Sequence, residues 1–257
     1  MWLLLRLPRR GPNICPHKIG LGYEWDGGYA EYLSVPQVAI RNLISIPPGL
    51  PFDETSLMEP LSCCLHGQGQ LNIGPEDQVL IIGAGPIGVM HLLLAKGKGV
   101  AKTILLEIQE ERLESALLFD PDIPLDAREE DVEEKVGEET DGRGADVVIV
   151  ACSSASAQEQ GVRLVGKGGR VLFFAGLPRE VPFIRFDSNR IHYEEISVYG
   201  SFASQLEQGR EALDLIADRA FDFGRLITHR LPLEGILEGI DLVGKGRGLK
   251  VIIHPGG

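Results

Sequence analysis

Residues 79–88 read Val-Leu-Ile-Ile-Gly-Ala-Gly-Pro-Ile-Gly. Four apolar residues run directly into Gly83-Ala84-Gly85-Pro86-Ile87-Gly88, a G-x-G-x-x-G pattern. A continuous apolar run of this length is the mark of a strand buried on both faces. Pro86 suits the first turn of a helix, where its missing N–H would have no partner in any case. The stretch therefore predicts a strand, a tight turn and a helix in immediate succession. In that setting Gly83 permits the turn, Gly85 lets the backbone approach a pyrophosphate, and Gly88 lets helix and strand pack closely. The unpaired N–H groups and the positive end of the helix dipole then face a diphosphate.

The next apolar run ends in Glu107, 19 residues after Gly88. A carboxylate at that distance accepts hydrogen bonds from ribose hydroxyls and repels a 2′-phosphate, so NAD is expected rather than NADP. A glycine turn that merely packs, with Glu107 a surface charge, is the alternative reading.

Outward from this stretch, apolar strand-like runs recur at 103–108, 146–151 and 170–175. Helix-like segments alternate with them at 86–96, 110–118, 155–165 and 205–217. Such βαβ alternation predicts an α/β class with a doubly wound parallel sheet. We place this dinucleotide-binding domain at 67–224. The first segment reads differently, with short strand-like pieces at 30–35 and 43–46 separated by Gly27-Gly28, Pro36 and Pro47-Pro48-Gly49. That predicts a distinct β-rich domain over 1–66. Residues 225–257 are expected to complete it, through a helix at 233–243 and a strand at 249–253. The acidic stretch 129–141 is expected to be a solvated helix face.

Composition narrows the function classes. The 257 residues are 44% hydrophobic and 24% charged, and no apolar run approaches membrane-spanning length. A formal net charge of −12 would repel a phosphate backbone, so nucleic acid is not expected as a partner. Cys15, Cys63, Cys64 and Cys152 show no disulfide spacing, which together with the lack of a secretory cleavage pattern predicts a cytoplasmic protein.

Several stretches together resemble the zinc-type medium-chain alcohol dehydrogenases, in particular the sorbitol and threonine dehydrogenase branches. They are DGGYAEYLSVP (26–36), MEPLSCCLHG (58–67), VLIIGAGPIG (79–88), TDGRGADVVI (140–149), GKGGRVLFFAG (166–176), NRIHYEEISVYGSF (189–202) and the terminal GLKVII. The resemblance implies a Rossmann NAD-binding domain beside an incomplete, β-rich GroES-like catalytic domain. It implies that Ile87, Glu107 and Arg112 hold the adenosine and diphosphate half of NAD, and that Ala175, Gly176, Leu177, Ser201, Phe202 and Ala203 line the nicotinamide. Glu59 matches the family's carboxylate at the catalytic zinc. The implied reaction is hydride transfer between NAD and a small secondary alcohol, a sugar alcohol or hydroxy amino acid, in a dimer or tetramer. Some polyol dehydrogenases have an arginine where Ala203 stands, which sets a polyol in doubt.

A catalytic zinc requires three protein ligands and an open position. Of the family's ligands only Glu59 is present. Cys63 and Cys64 read as small core residues of a buried helix, His66 and His91 as helix residues facing packed surfaces, and His192 as part of a family stretch without a ligand role, while His17, His229 and His254 have no spaced partners. Cys15 matches the fourth cysteine of the family's structural zinc loop. The three preceding positions of that loop fall on Met1, Leu4 and Leu7. Met-Trp can be encoded only as ATG-TGG, which read one base later begins with a cysteine codon, and leucine codons ending in TG behave likewise before C or T. The expectation is that residues 1–10 are out-of-frame text from a zinc-loop gene, chance mimicry by codon bias at leucine-rich positions being the alternative, and that the chain is N-terminally truncated and impaired in catalysis. A catalytically inactive NAD-binding module and a zinc-independent reductase are the alternatives.

Overall fold

The computed structural model describes residues 11–128 and 131–256. The expected zinc-loop remnant at residues 1–10 lies outside them. The chain divides into two compact units, one from Cys64 to Ser201 and one formed by the segments that end at Cys63 and begin at Phe202.

The Cys64–Ser201 unit is built on β1 (Gln78–Ile82), β2 (Lys102–Glu107), β3 (Ile123–Asp126), β4 (Ala145–Val150), β5 (Val165–Phe173) and β6 (Ser197–Gly200). All six are parallel, in the order β3-β2-β1-β4-β5-β6. The doubly wound sheet expected from the βαβ alternation is thus present. The apolar runs explain its centre: Val79, Leu80, Ile81, Ile104, Leu105, Val147, Val148 and Ile149 are wholly buried. A sheet covered on both faces leaves no polar side to its inner strands. Burial declines toward β6, where Ser197, Val198 and Gly200 are exposed.

Helices α3 (Pro86–Gly97), α4 (Glu110–Leu117), α5 (Val132–Glu139) and α6 (Ala155–Leu164) connect the strands. In the acidic stretch, α5 buries Val132 and Val136 and leaves Glu133 and Glu134 exposed, with Asp131 accepting from the N–H groups of Glu133 and Glu134 at its start. This is the solvated helix face expected there. Arg170 of β5 ties the sheet to the turn before β1, donating to the Leu71 and Asn72 carbonyls and pairing with Asp77.

In the second unit, residues 11–51 depart from expectation. They hold two short 3₁₀ turns, Pro12–Ile14 and Ile40–Asn42, and one isolated bridge between Leu21 and Trp25. The strands expected at 30–35 and 43–46 are not formed among the described residues. Alternating apolar residues define a face, but a strand also needs a neighbour for its N–H and C=O groups. No described segment supplies that neighbour.

The unit's order comes instead from α1 (Phe52–Thr55), the first half of α2 (Met58–Gly69) and the C-terminal elements. These are α8 (Leu206–Ala217) and the parallel pair β7 (Ile227–Pro232) and β8 (Lys250–His254), joined by α9 (Ile236–Gly244). α7 (Ser188–Tyr193) belongs with the six-stranded sheet. The unit boundary falls at Ser201/Phe202, whereas 224/225 was expected. The physical reason is local packing: α8 contacts α1, and Gly209 lies against Ile44 and Met58. Asp53 on α1 also holds both strands, accepting from Arg230 Nε at 2.5 Å and approaching His254 Nε2 at 3.2 Å.

One polar pair sits inside the first-described unit. Gln68 Nε2 of α2 donates to His91 Nδ1 of α3 at 3.2 Å and to the His91 carbonyl at 2.8 Å. Since the amide can only donate there, Nδ1 accepts and the ring proton resides on Nε2. His91 packs edge-on against Phe174, is fully buried, and burial drives its pKa down to about 3. The unfolded ring binds a proton near pH 6.5 and the folded ring does not, so the stability contributed is complete above pH 6.5 and is lost as pH falls. Between pH 7.5 and pH 5 this linkage alone should remove about 2 kcal/mol from the unfolding free energy. Urea unfolding at the two pH values measures it, and the His91 imidazole resonances should not titrate above pH 5.

Candidate functional site

Parallel strands bring their carboxyl ends to one edge of the sheet. There Gly83 follows β1, Glu107 ends β2, Cys152 follows β4, Ala175 follows β5 and Ser201 follows β6. The connections run to one side of β1 through β2 and β3, then cross to β4 on its other side. A crevice outside such a reversal is where open α/β sheets bind ligands.

The turn at this point is sterically determined. Gly83 has φ +107°, a conformation open to glycine, and its N–H donates to the Leu106 carbonyl at 2.7 Å. A Cβ on Gly88 would stand 1.7 Å from the Gly83 oxygen, so only a hydrogen fits between helix and turn. A Cβ on Gly85 would meet nothing within 4 Å. This open side of Gly85 is where a pyrophosphate could approach the backbone. Gly85 caps α3 without any side-chain hydrogen bond, leaving the first-turn N–H groups unengaged by side chains. Pro86 occupies the first helical position as expected, and Ile87 follows half-buried.

Glu107 does more than the sequence indicated. Its carboxylate is buried at 6% exposure, with Oε2 accepting from the Ala84 N–H at 2.8 Å. Oε1 accepts from the N–H groups of Ile108 at 2.7 Å and Gln109 at 3.0 Å. It therefore ties the glycine turn to the turn that opens α4. An ionised carboxylate has about four lone-pair sites, so one direction remains for a ribose hydroxyl. Arg112 stands half-buried near the start of α4.

Three further features border the crevice edge. Gln158 Nε2 of α6 donates to the Ala175 carbonyl at 3.0 Å and steadies the loop through Gly176 and Leu177. The Ser201 hydroxyl is buried with no partner among the described residues. A buried hydroxyl without a partner at Ser201 and the open turn at Gly85 are features that a dinucleotide would fit. Cys152 lies against the turn, its Cβ 3.4 Å from where a Gly83 Cβ would be; burial and then the Glu107 charge push its thiol up. Cys152 and Gln158 were missed in the sequence. The rule that ligands meet strand carboxyl ends would have found Cys152, two residues beyond β4.

Phe202, Ala203, Glu59 and Cys15 lie in the other unit. Ala203 has φ +54°, an uncommon conformation for a residue with a Cβ. Phe202 is half exposed, with its carbonyl accepting from Asn13 Nδ2 at 2.8 Å and the Lys18 ammonium 3.8 Å above its ring. Glu59 is exposed on α2, and the Cys63 thiol donates to its Oε1 at 3.5 Å. Burial, followed by the Glu59 charge, pushes that thiol up to about 11. Among the described residues no group of three or more His, Cys, Asp or Glu side chains gathers to hold a metal, at Glu59, at Cys15 or elsewhere. The donors present do not fit a catalytic zinc, which needs three. No helix among the described residues is long and apolar enough to cross a membrane.

Comparison with known proteins agrees with this geometry. Residues 86–218 match the family described as zinc-binding dehydrogenase. A sorbitol dehydrogenase of Halalkalibacterium halodurans is 32% identical over 95% of this chain and 70% of its own length. An L-threonine 3-dehydrogenase of Bacillus licheniformis is 31% identical over 95% of this chain and 69% of its own. Among solved structures, a protein described as a zinc-binding dehydrogenase from Sinorhizobium meliloti 1021, bound to NADP, is 30% identical. It superposes with a TM-score of 0.86 over 95% of this chain and 70% of that one. The chain belongs to the zinc-binding dehydrogenase family.

Two substitutions test the turn. Gly88→Ala forces a methyl into the Gly83 carbonyl and should cost about 3 kcal/mol or more in urea unfolding. Glu107→Gln presents an N–H₂ group to the Ala84 N–H and leaves that buried donor unmatched, costing about 1–3 kcal/mol. NADH titration of the Gln variant should show about tenfold weaker binding.

Proposed function

We propose that this chain binds NAD at the carboxyl edge of the six-stranded sheet and belongs, by lineage, to enzymes passing hydride between a secondary alcohol and that cofactor. The observation that carries the reading is the glycine turn: open at Gly85, closed at Gly88 and held in place by Glu107 before any ligand arrives. Preorganised N–H groups lose little freedom when a diphosphate binds them.

In this reading the first turn of α3 takes the diphosphate, with Ile87 and Arg112 flanking the adenosine half. The remaining acceptor direction of Glu107 takes a ribose hydroxyl, and its charge disfavours a 2′-phosphate. The Ser201 hydroxyl and the loop from Ala175 to Leu177 orient the nicotinamide, with Gln158 fixing that loop. Bound NAD would supply the hydride acceptor. Sorbitol and threonine each carry a secondary alcohol, which supports that substrate class through the relatives named above.

A second reading is favoured by the donor set at Glu59: NAD binding without alcohol turnover. Glu59 and Cys63 cannot supply the three ligands that alcohol activation by zinc requires. Catalysis by this chain would be impaired accordingly.

NADH fluorescence titration of the purified chain tests both. NADH should bind, with NADPH weaker by about tenfold, equivalent to ~1.4 kcal/mol. Equal affinity for the two would remove Glu107 as the discriminator, and absence of NADH binding would overturn the cofactor assignment. Alcohol-dependent NADH formation from sorbitol or threonine would favour the oxidoreductase reading, and binding without turnover the second.

A further inference from the structure

In the reading proposed above, the strand order puts the two halves of a bound dinucleotide on opposite sides of β1. Glu107 ends β2, so a ribose taken by its carboxylate lies on the β2 side of the glycine turn. The other half then extends over β4 and β5, on the far side of the reversal in strand order. Phe174 and Ala175 are the first residues beyond β5 on that side.

Four elements of one unit fix this step of the chain. The N–H groups of Phe174 and Ala175 both donate to the Val150 carbonyl at the end of β4, at 3.1 and 3.4 Å. From α6 the buried Gln158 donates to the Ala175 carbonyl at 3.0 Å. The Phe174 ring lies so close to α2 that a Cβ on Gly67 would stand 3.1 Å from its Cδ2. From α3 the His91 ring meets the Phe174 ring edge-to-face, with 4.6 Å between centroids and 84° between planes, an arrangement aromatic pairs prefer.

His91 is an uneconomical choice for packing alone. It is fully buried, and its Nε2–H has no hydrogen-bond partner among the described residues, a penalty that an apolar side chain would avoid. Gln68 commits both amide protons to it, one to Nδ1 and one to the His91 carbonyl, which keeps the imidazole from turning over. The contact with Phe174 is therefore fixed in orientation. It also runs from α3, the helix whose first turn faces the diphosphate.

We infer that His91 and Gln158 are positioning residues for the nicotinamide half of the cofactor, acting through Phe174 and Ala175. His91 sets the end of β5 against the diphosphate-binding helix, and Gln158 sets the direction in which the chain leaves that strand. The adenosine half is held by Glu107 and the glycine turn through separate hydrogen bonds. Because α3 is itself fixed by the close approach of Gly88 to Gly83, removing the His91 ring frees Phe174 and leaves the diphosphate end in place. The inference rests on the NAD reading above and adds that the two halves of the cofactor are braced independently.

ADP-ribose carries the adenosine, diphosphate and second ribose of NAD without the nicotinamide ring, so it separates the two halves. The purified full chain and its His91→Leu and Gln158→Met variants are titrated with NADH and with ADP-ribose by isothermal calorimetry, once melting curves have shown each to be folded. Both substitutions change side-chain volume little and suit a helix interior. The expected result is NADH affinity about tenfold lower in each variant, the scale of losing one preorganised segment, with ADP-ribose affinity within about twofold of wild type. Equal losses for the two ligands in either folded variant overturn the inference, because they mark general loosening of the unit, and so does unchanged NADH affinity. Where His91→Leu does not fold, Gln158→Met decides. A wild-type chain that binds neither ligand overturns the cofactor assignment and the inference with it, an outcome distinct from parallel losses in the variants alone.

Discussion

Between the Gly83 carbonyl and the Cα of Gly88 there is room for a hydrogen and no more. That contact sets the angle at which α3 leaves β1, and α3 in turn lies buried along most of its length against the sheet. Moving the helix away by the width of a methyl group would open the packing of α3 against β1 and β2. It would also carry the N-terminal N–H groups of α3 away from the crevice. Stability and ligand geometry are therefore set by the same close approach, which is why the turn admits so little variation.

Glu107 adds a second constraint on the same turn. Backbone N–H groups from two separate connections converge on one carboxylate, so the turn after β1 and the turn after β2 cannot move independently. A group whose usual assignment is cofactor recognition is thus also part of the frame. The selective role proposed for Glu107 and this structural one draw on the same carboxylate and are compatible.

Family membership and local chemistry diverge at Glu59. Resemblance places a metal ligand there, while side chains around it form hydrogen bonds with one another and, among the described residues, offer no third ligand. A motif records lineage, whereas metal binding requires several donors to converge, and only the second is decided by neighbours distant in sequence.

The parallel sheet, its helices and the glycine turn were legible because each depends on residues close together in the chain: apolar runs, a proline at a helix start, and glycines at fixed spacing. The solvated face of α5 was legible for the same reason. The segment 11–51 was not, since alternating residues at 30–35 and 43–46 cannot reveal whether a pairing strand lies beside them. Nor could the sequence show that α8 groups with α1, that Gln68 fixes the His91 tautomer, or that Glu107 accepts from Ala84. The sequence by itself determined the strand, glycine turn and helix at 79–97 and the family to which the chain belongs. Tertiary structure decided which polar groups remain available there, because hydrogen bonds among residues tens of positions apart arise only when the chain has folded.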